Sequence, residues 1–189
     1  PNATVNVGGM MTFTTADYLR LADNVRFNAI PDATADALLS AAPVAAFGFI
    51  GSNPAAINFE GGQLTVAGDQ NGTGVALVGG DINLIPDVSG TPSGITAPGR
   101  SILLTSVAGP GEVAADTGIP ATTGMALGNI TLDQGATLST VGDFAFGDGS
   151  GSGGSISIRG GQFVATGATI NTSPAEGSSG TGGAVTVDV

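Results

Sequence analysis

The sequence predicts an all-β chain whose short strands stack coil on coil as a parallel β-helix with glycine-rich corners. Three observations predict it. Apolar and polar residues alternate with a period of two rather than 3.6. Gly, 33 of 189 residues, bounds the alternating runs. And one anchor recurs along the chain, a Gly or other small residue followed by two alternating aliphatics.

In chain order, Thr4-Val5-Asn6-Val7 runs into Gly8-Gly9, Ile57-Asn58-Phe59 into Gly61-Gly62, and Leu64-Thr65-Val66 into Gly68. Ile82-Asn83-Leu84, Ile130-Thr131-Leu132, Ile156-Ser157-Ile158 and Val185-Thr186-Val187 continue the series. The anchors read GGDINL, GRSILL, LGNITL, GGSISI and GGAVTV, with steps of 20, 28, 26 and 29 residues from Ile82 through Ile102, Ile130 and Ile156 to Val185. A second short strand follows several anchors: SGITAPG after DINLIP, QGATLSTVG after GNITL, and RGGQFVATGATINT after GGSISI. In the last, Phe163, Ala168 and Ile170 point inward. Each strand is expected to pair with its equivalent one coil away, aliphatics stacking inside and Thr, Ser and Asn outside. The whole chain then makes about seven to nine coils, a rod on the order of 35 to 45 Å long.

One stretch carries helical character, Thr34 to Ala46, which Pro43 limits to a short turn. It lies in an excursion of loop or short helix near 28–53. Phe47 and Phe49 are read as an apolar plug for that excursion rather than as a ligand pocket.

Composition excludes much chemistry. The chain has no His, Cys, Trp or Lys, which removes the usual zinc, copper and haem ligand sets, Schiff-base chemistry and His-dependent triads. No cofactor, no metal and no catalytic residue is expected, and the chain is read as not an enzyme. A net charge of −11 opposes nucleic acid and anionic lipid. No apolar run reaches the roughly 18 residues of a membrane span. Absent cysteine suits a protein that crosses a pore unfolded, since a premature disulfide would jam the passage. Beginning on Pro1, the sequence is read as a processed product or a piece of a longer chain.

Thr14 to Phe27, TTADYLRLADNVRF, concentrates two of the four Arg and the single Tyr. Asp17, Arg20, Asp23 and Arg26 follow at a spacing of three, which a helix would bring together. As strands, Leu19 and Leu21 face one way, Tyr18 and Arg20 the other, Asp23-Asn24 turns the chain, and Val25 and Phe27 point inward. The strand reading uses every apolar residue. The charges then form a surface ladder of opposite signs, each pair worth at most about 1 kcal/mol, with ligand binding and catalysis the lesser readings.

The nearest carboxylate pairs for polysaccharide chemistry are Glu112 with Asp116 and Asp143 with Asp148. Both fall in expected loops, with Arg100 or Arg159 the basic partners a neighbouring coil offers, and solvated loop carboxylates are the preferred reading. GDGSGSGGS at Gly147 suggests a calcium turn but supplies one Asp only. Asn2, Asn71, Asn129 and Asn171 match the sequon form, as a Thr-rich chain does by chance.

Taken together, ATVNVGG, TTADYLRLADNVRF, APVAAFGFIGSNPAAI, LVGGDINL, ITAPGRSILLTSVAGPGEV and GGSISIRGGQFVATGATI resemble the filamentous haemagglutinin-like exoproteins of two-partner secretion. Thr14 to Ile57 and VAGPGEV are the specific part, and the coils after Leu127 are generic. The resemblance implies a right-handed helix, secretion-domain-like coils over 1–126 and generic coils over 127–189 of a single domain, 1–189. It implies an adhesin on the outer surface of a bacterium or outside it, and an outer-membrane β-barrel transporter as partner during secretion. Cell-surface or matrix glycans or proteins are the expected later partners. Asn53 and Pro54 are the secretion-motif-like residues, followed here by Ala-Ala rather than Asn-Gly. This departure places the earlier part of a secretion domain before Pro1. Two other functions are open: a subunit of an extracellular filament that self-associates through its helix ends, and, less favoured, a carboxylate-based polysaccharide enzyme.

Overall fold

The computed structural model describes residues 10–34, 36, 40–66, 74–145 and 150–189. Glycine, proline and turn residues cut the apolar runs into strands of three to six residues. β1 (Met11–Thr14) is followed by an excursion carrying β2 (Tyr18–Leu21), β3 (Arg26–Asn28) and β4 (Val44–Phe49). The chain then runs through β5 (Ile57–Glu60), β6 (Gln63–Thr65) and β7 (Gly74–Gly79), and again through β8 (Ile82–Ile85), β9 (Gly94–Thr96) and β10 (Ser101–Ser106). A second excursion holds β11 (Gly111–Ala114). Two further passes follow, β12 (Asn129–Asp133), β13 (Thr137–Ser139) and β14 (Ile156–Arg159), then β15 (Gln162–Thr166), β16 (Thr169–Asn171) and β17 (Val185–Asp188).

Each pass adds one strand to each of three parallel sheets. The first sheet stacks β5-β8-β12-β15, the second β6-β9-β13-β16 and the third β1-β7-β10-β14-β17. Strands enter every sheet in chain order, so each pass lies against the one before it. An outer sheet, β11-β4-β2-β3, is antiparallel and takes its strands from the two excursions.

The in-register pairing explains the sequence periodicity. Ile57, Ile82, Ile130 and Phe163 form one inward column, and Leu64, Ile95, Leu138 and Ile170 a second. Val75, Ile102, Ile156 and Val185 form a third. The middle members of these columns are buried in one continuous apolar cluster that spans both sides of residue 126. Each fully buried Leu or Ile contributes about 1.5 to 3 kcal/mol by leaving water. Outward residues also stack, with Asn83 donating to Asn58 at 2.9 Å and the Ser101 and Ser155 hydroxyls 3.0 Å apart.

β7 and β10 break the alternation. Val75-Ala76-Leu77-Val78 and Ile102-Leu103-Leu104 are apolar on both faces and buried on both, the signature of a covered parallel strand. The cover is the outer sheet. Phe47, Phe49 and Val113 pack on Ala76, Val78 and Leu103 in a second apolar cluster. Phe47 and Phe49, 6% and 2% exposed, are the plug that the sequence predicts.

Three expectations need correction. Four complete passes and β1 lie among the described residues, a stack of about 20 Å at 4.8 Å per pass, not seven to nine coils. The anchors mix two sheets: Ile82 and Ile130 belong to the first, Ile102, Ile156 and Val185 to the third. Of the four steps only the last, 29 residues from Ile156 to Val185, joins equivalent positions and measures a full pass; other passes take 25 residues from Ile57 to Ile82 and 33 from Ile130 to Phe163. The excursions consume most of the remaining chain. Second, Val44 to Ala46 is strand rather than helix, because β4 finds partners on both sides, β2 and β11, and pairing outweighs the helix propensity of its alanines. Of that candidate helix only Asp36 has helical geometry among the described residues. Third, Phe27 faces the body as expected but is not buried by it, as described below. The expected strand at Thr4 to Val7 lies outside the described residues.

Close stacking makes particular glycines obligatory. A Cβ on Gly154 would sit 1.7 Å from the Arg100 carbonyl oxygen, and one on Gly183 would sit 1.9 Å from that of Gly154. These positions enter the third sheet on successive passes, where backbone meets backbone. Gly90 differs: its φ of +84° puts it in the left-handed region with open space around it. Gly154→Ala is expected to cost about 2 kcal/mol or more through overpacking, and Gly90→Ala about 1 kcal/mol through backbone strain alone. Urea unfolding of the two variants measures the difference; equal losses would refute the close-stacking account.

Candidate functional site

The outer sheet carries a connected cluster of charged and aromatic side chains. β2 and β3 form a hairpin turned at Asn24, whose φ of +68° is one that Asn tolerates in a turn. Alternation sends Leu19 toward the body and Tyr18 and Arg20 outward, as the sequence predicts. Across the sheet the outward row is Tyr18, Gly48 and Glu112, since Gly48 on β4 pairs with Tyr18 on one side and Glu112 on the other. The middle residue must be Gly. A Cβ there would lie 2.0 Å from the Tyr18 ring carbon that bears the hydroxyl. The phenol therefore crosses β4 and its hydroxyl donates to Glu112 Oε1 at 2.9 Å.

Arg20 Nε donates to Glu112 Oε2 at 2.8 Å, so both carboxylate oxygens are engaged. Arg26 lies over the Tyr18 ring, its guanidinium carbon 4.1 Å from the centroid, a cation–π contact. Tyr18 is thus held between Gly48 and Arg26 and is 6% exposed. Burial raises the Tyr18 phenol above its ordinary 10.0, and the Glu112 hydrogen bond and charge act in the same direction. For Glu112, burial opposes ionisation, but the hydrogen bonds from Arg20 and Tyr18 and the Arg20 charge outweigh it. The carboxyl is held below its ordinary 4.5.

The expected ladder of opposite charges does not form. Arg20 pairs across the hairpin with Arg26, like against like. Asp17 Oδ2 instead accepts from the Ile50 backbone N–H at 2.6 Å, and Asp23 Oδ2 from the Ser40 hydroxyl at 2.5 Å. A three-residue spacing aligns charges only on a helix; this segment is a hairpin, and the balancing acid comes from β11, 92 residues from Arg20. Phe27 shares the body-facing row with Leu19 and Phe47 but overhangs the edge of the body, and is 62% exposed. With Thr14, Ala16, Tyr18, Leu19 and Ala29 it lines an apolar hollow of about 220 Å³.

Glu112 belongs to the cluster above, while Asp116 is exposed in the following turn. Arg20 meets Glu112, and neither Arg100 nor Arg159 does so. Arg159 pairs with Asp188 at 2.9 Å, and Arg100 is buried at the corner before β10. Asp143 caps the Ala145 N–H at 2.8 Å; Asp148 and Gly147 lie outside the described residues. So do Asn2 and Asn71, while Asn171 accepts from the Ser173 N–H. Among the described residues no three His, Cys, Asp or Glu side chains gather closely enough to hold a metal ion.

Asn53 and Pro54 lie in the loop before β5. They line an open groove of about 380 Å³ with Ser52, Asp81, Val107 and Asn129. The segment is fastened at the β7–β8 corner: the Ala55 carbonyl accepts from Gly80 N–H at 3.0 Å and from the Thr15 hydroxyl at 2.7 Å. No helix among the described residues is long and apolar enough to cross a membrane.

Fold and cluster define an all-β protein of stacked parallel strands with an antiparallel outer sheet, fastened by a Tyr–Glu–Arg network. No protein-family model, curated protein or solved structure matches the chain.

Tyr18 is the single Tyr and there is no Trp, so ultraviolet spectroscopy reads this site alone. Alkaline titration of phenolate absorbance is expected to give a midpoint above 10.0, moving back toward 10.0 in Glu112→Gln. An unmoved midpoint would refute the Tyr18–Glu112 bond. Glu112→Gln is also expected to cost about 1 to 2 kcal/mol at neutral pH. Because the folded value is depressed, the stabilisation is fully present above 4.5 and is lost as pH falls through the folded value. Urea midpoints of the two proteins are therefore expected to converge below that pH.

Proposed function

We propose that this chain is a segment of a right-handed parallel β-helix in a secreted or surface-exposed bacterial adhesin of the filamentous haemagglutinin-like class, mediating attachment or cell–cell contact. The observation that carries the reading is the strict order in which each pass supplies one strand to each of three parallel sheets. Such a stack is a stiff spacer. Corners between strands are free to vary in length without disturbing the columns, so loops are presented along a rigid body and many weak contacts add by avidity. The 87–91 loop illustrates this. Asp87 Oδ1 accepts from the N–H groups of Ser89 and Thr91, which braces a tip where Val88 is fully exposed.

Binding is favoured over catalysis on chemical grounds. The sequence offers no His, Cys or Lys, and the best-placed carboxylate, Glu112, is neutralised by Arg20. Secretion through an outer-membrane β-barrel transporter follows from the same family resemblance. Asn53 and Pro54 sit in a fastened loop beside the first complete pass, a position suited to ordering the earliest pass as the chain emerges.

A second reading, end-to-end assembly into a filament, is favoured by one observation. The outer edges of β15, β16 and β17 have no strand partner among the described residues, and Val164, Val185 and Val187 there are 42%, 46% and 46% exposed. Unpaired strand edges of this kind template further pairing.

Beads coated with the chain are expected to adhere to host or bacterial cells, and shortening the 87–91 loop to reduce adhesion while circular dichroism stays unchanged. Undiminished attachment by loop-shortened variants would sink the presentation reading. Light scattering separates the second reading: mass rising with concentration supports a filament, and a monomer at high concentration overturns it.

A further inference from the structure

The outward face of the outer sheet brings two arginines together. Arg20 and Arg26 stand directly opposite each other on β2 and β3, an arrangement that is destabilising unless negative charge is supplied. Glu112 supplies one charge, and both its oxygens are used, one by Arg20 and one by Tyr18. The ion pairs formed among the described residues are Arg20–Glu112 and Arg159–Asp188; Arg26 joins neither. Asp23 and Asp36, close to it in sequence, keep their charge but accept from Ser40 and the Val25 N–H and from Asn28 and the Asp32 N–H, not from Arg26. In a protein of net charge −11, Arg26 is thus a guanidinium with no ion pair among the described residues.

This guanidinium is also held in place. The Arg26 guanidinium rests on Tyr18 at 4.1 Å, and Tyr18 is fixed by Gly48 beneath and Glu112 at its hydroxyl. A flexible surface arginine loses rotamer freedom when it binds; a stacked one has already lost it. A guanidinium held over a ring by its charge keeps N–H groups for a carboxylate, which it can receive through two parallel hydrogen bonds.

We propose that Arg26, stacked on Tyr18 and flanked by Arg20, is a binding site for a single planar carboxylate of an exogenous ligand, such as the acid group of a uronic acid. The net negative charge of the molecule disfavours an extended polyanion, whereas a monoanion meets chiefly the groups within about 8 Å, more distant charges being screened at physiological ionic strength. The site would exist whether or not the chain is an adhesin, because it follows from the outer sheet alone.

The test uses sodium glucuronate, sodium acetate and glucose as probes, read by tyrosine fluorescence and by the Arg26 side-chain N–H signal in nuclear magnetic resonance. Glucuronate is expected to give a saturable response in both, and glucose none. A matching response to acetate shows that the carboxylate alone is recognised; a response to glucuronate only adds a sugar contact. Arg26→Ala is expected to abolish the response and Arg26→Lys, which keeps charge but loses the fork, to weaken it about 5-fold or more. Glu112→Gln, which removes the competing negative charge, is expected to tighten binding. Should that variant disturb the fold, Arg26→Lys against the unaltered protein still decides. No saturable response to glucuronate, an equal response to glucose, or an unchanged response in Arg26→Ala overturns the proposal.

Discussion

Register between stacked strands is the constraint on which the rest of the structure depends. Parallel strands lie about 4.8 Å apart, so a residue on one pass meets its equivalent on the next at near van der Waals distance. Ile82 can sit between Ile57 and Ile130 only if all three face the same way. A slip of one residue would turn every inward aliphatic out. The same spacing forces Gly at Gly154 and Gly183, where successive corners touch, and brings Asn58 and Asn83 to hydrogen-bonding distance outside.

The outer sheet depends on this register and in turn modifies it. β7 and β10 stand side by side because nothing intervenes between their passes, and their outward faces offer Ala76, Val78 and Leu103 as one apolar surface. The two excursions cover that surface together, neither sufficing alone: β4 comes from the first and β11 from the second, and they pair. The buried Thr105 hydroxyl ties the cover down through the Gly118 carbonyl at 2.9 Å. The Tyr18–Glu112–Arg20 network fastens the two excursions on the opposite, outward face. The polar cluster is thus a consequence of covering an apolar strip with strands from distant parts of the chain.

Some of this was legible beforehand for a physical reason. Alternation is a local property, and β5, β8, β12, β14 and β17 fall on runs that show it. Phe47 and Phe49 were legible as a plug because, two residues apart on a strand, they face the same way. Anchor spacing misled because the first and third sheets use the same Gly-then-aliphatic pattern, and nothing in Ile82 or Ile102 says which sheet receives it. The charges of Thr14 to Phe27 misled for a related reason. Spacing orders charges within one element, whereas Arg20 is neutralised by Glu112 from another. The signals that did point to the outer sheet were the two-sided apolar runs of β7 and β10, which a solvent-facing strand does not carry.

The sequence by itself determined the strand type, the inward side chains and the exclusion of His-, Cys- and Lys-dependent chemistry, because these follow from local alternation and from composition. Only the tertiary structure decided how many passes the chain makes, which strands share a sheet, and that Gly48 is small so that Tyr18 can reach Glu112. Those facts rest on contacts between residues some 25 to 95 positions apart, where the partner is chosen by what the rest of the fold leaves uncovered and not by anything in the segment itself.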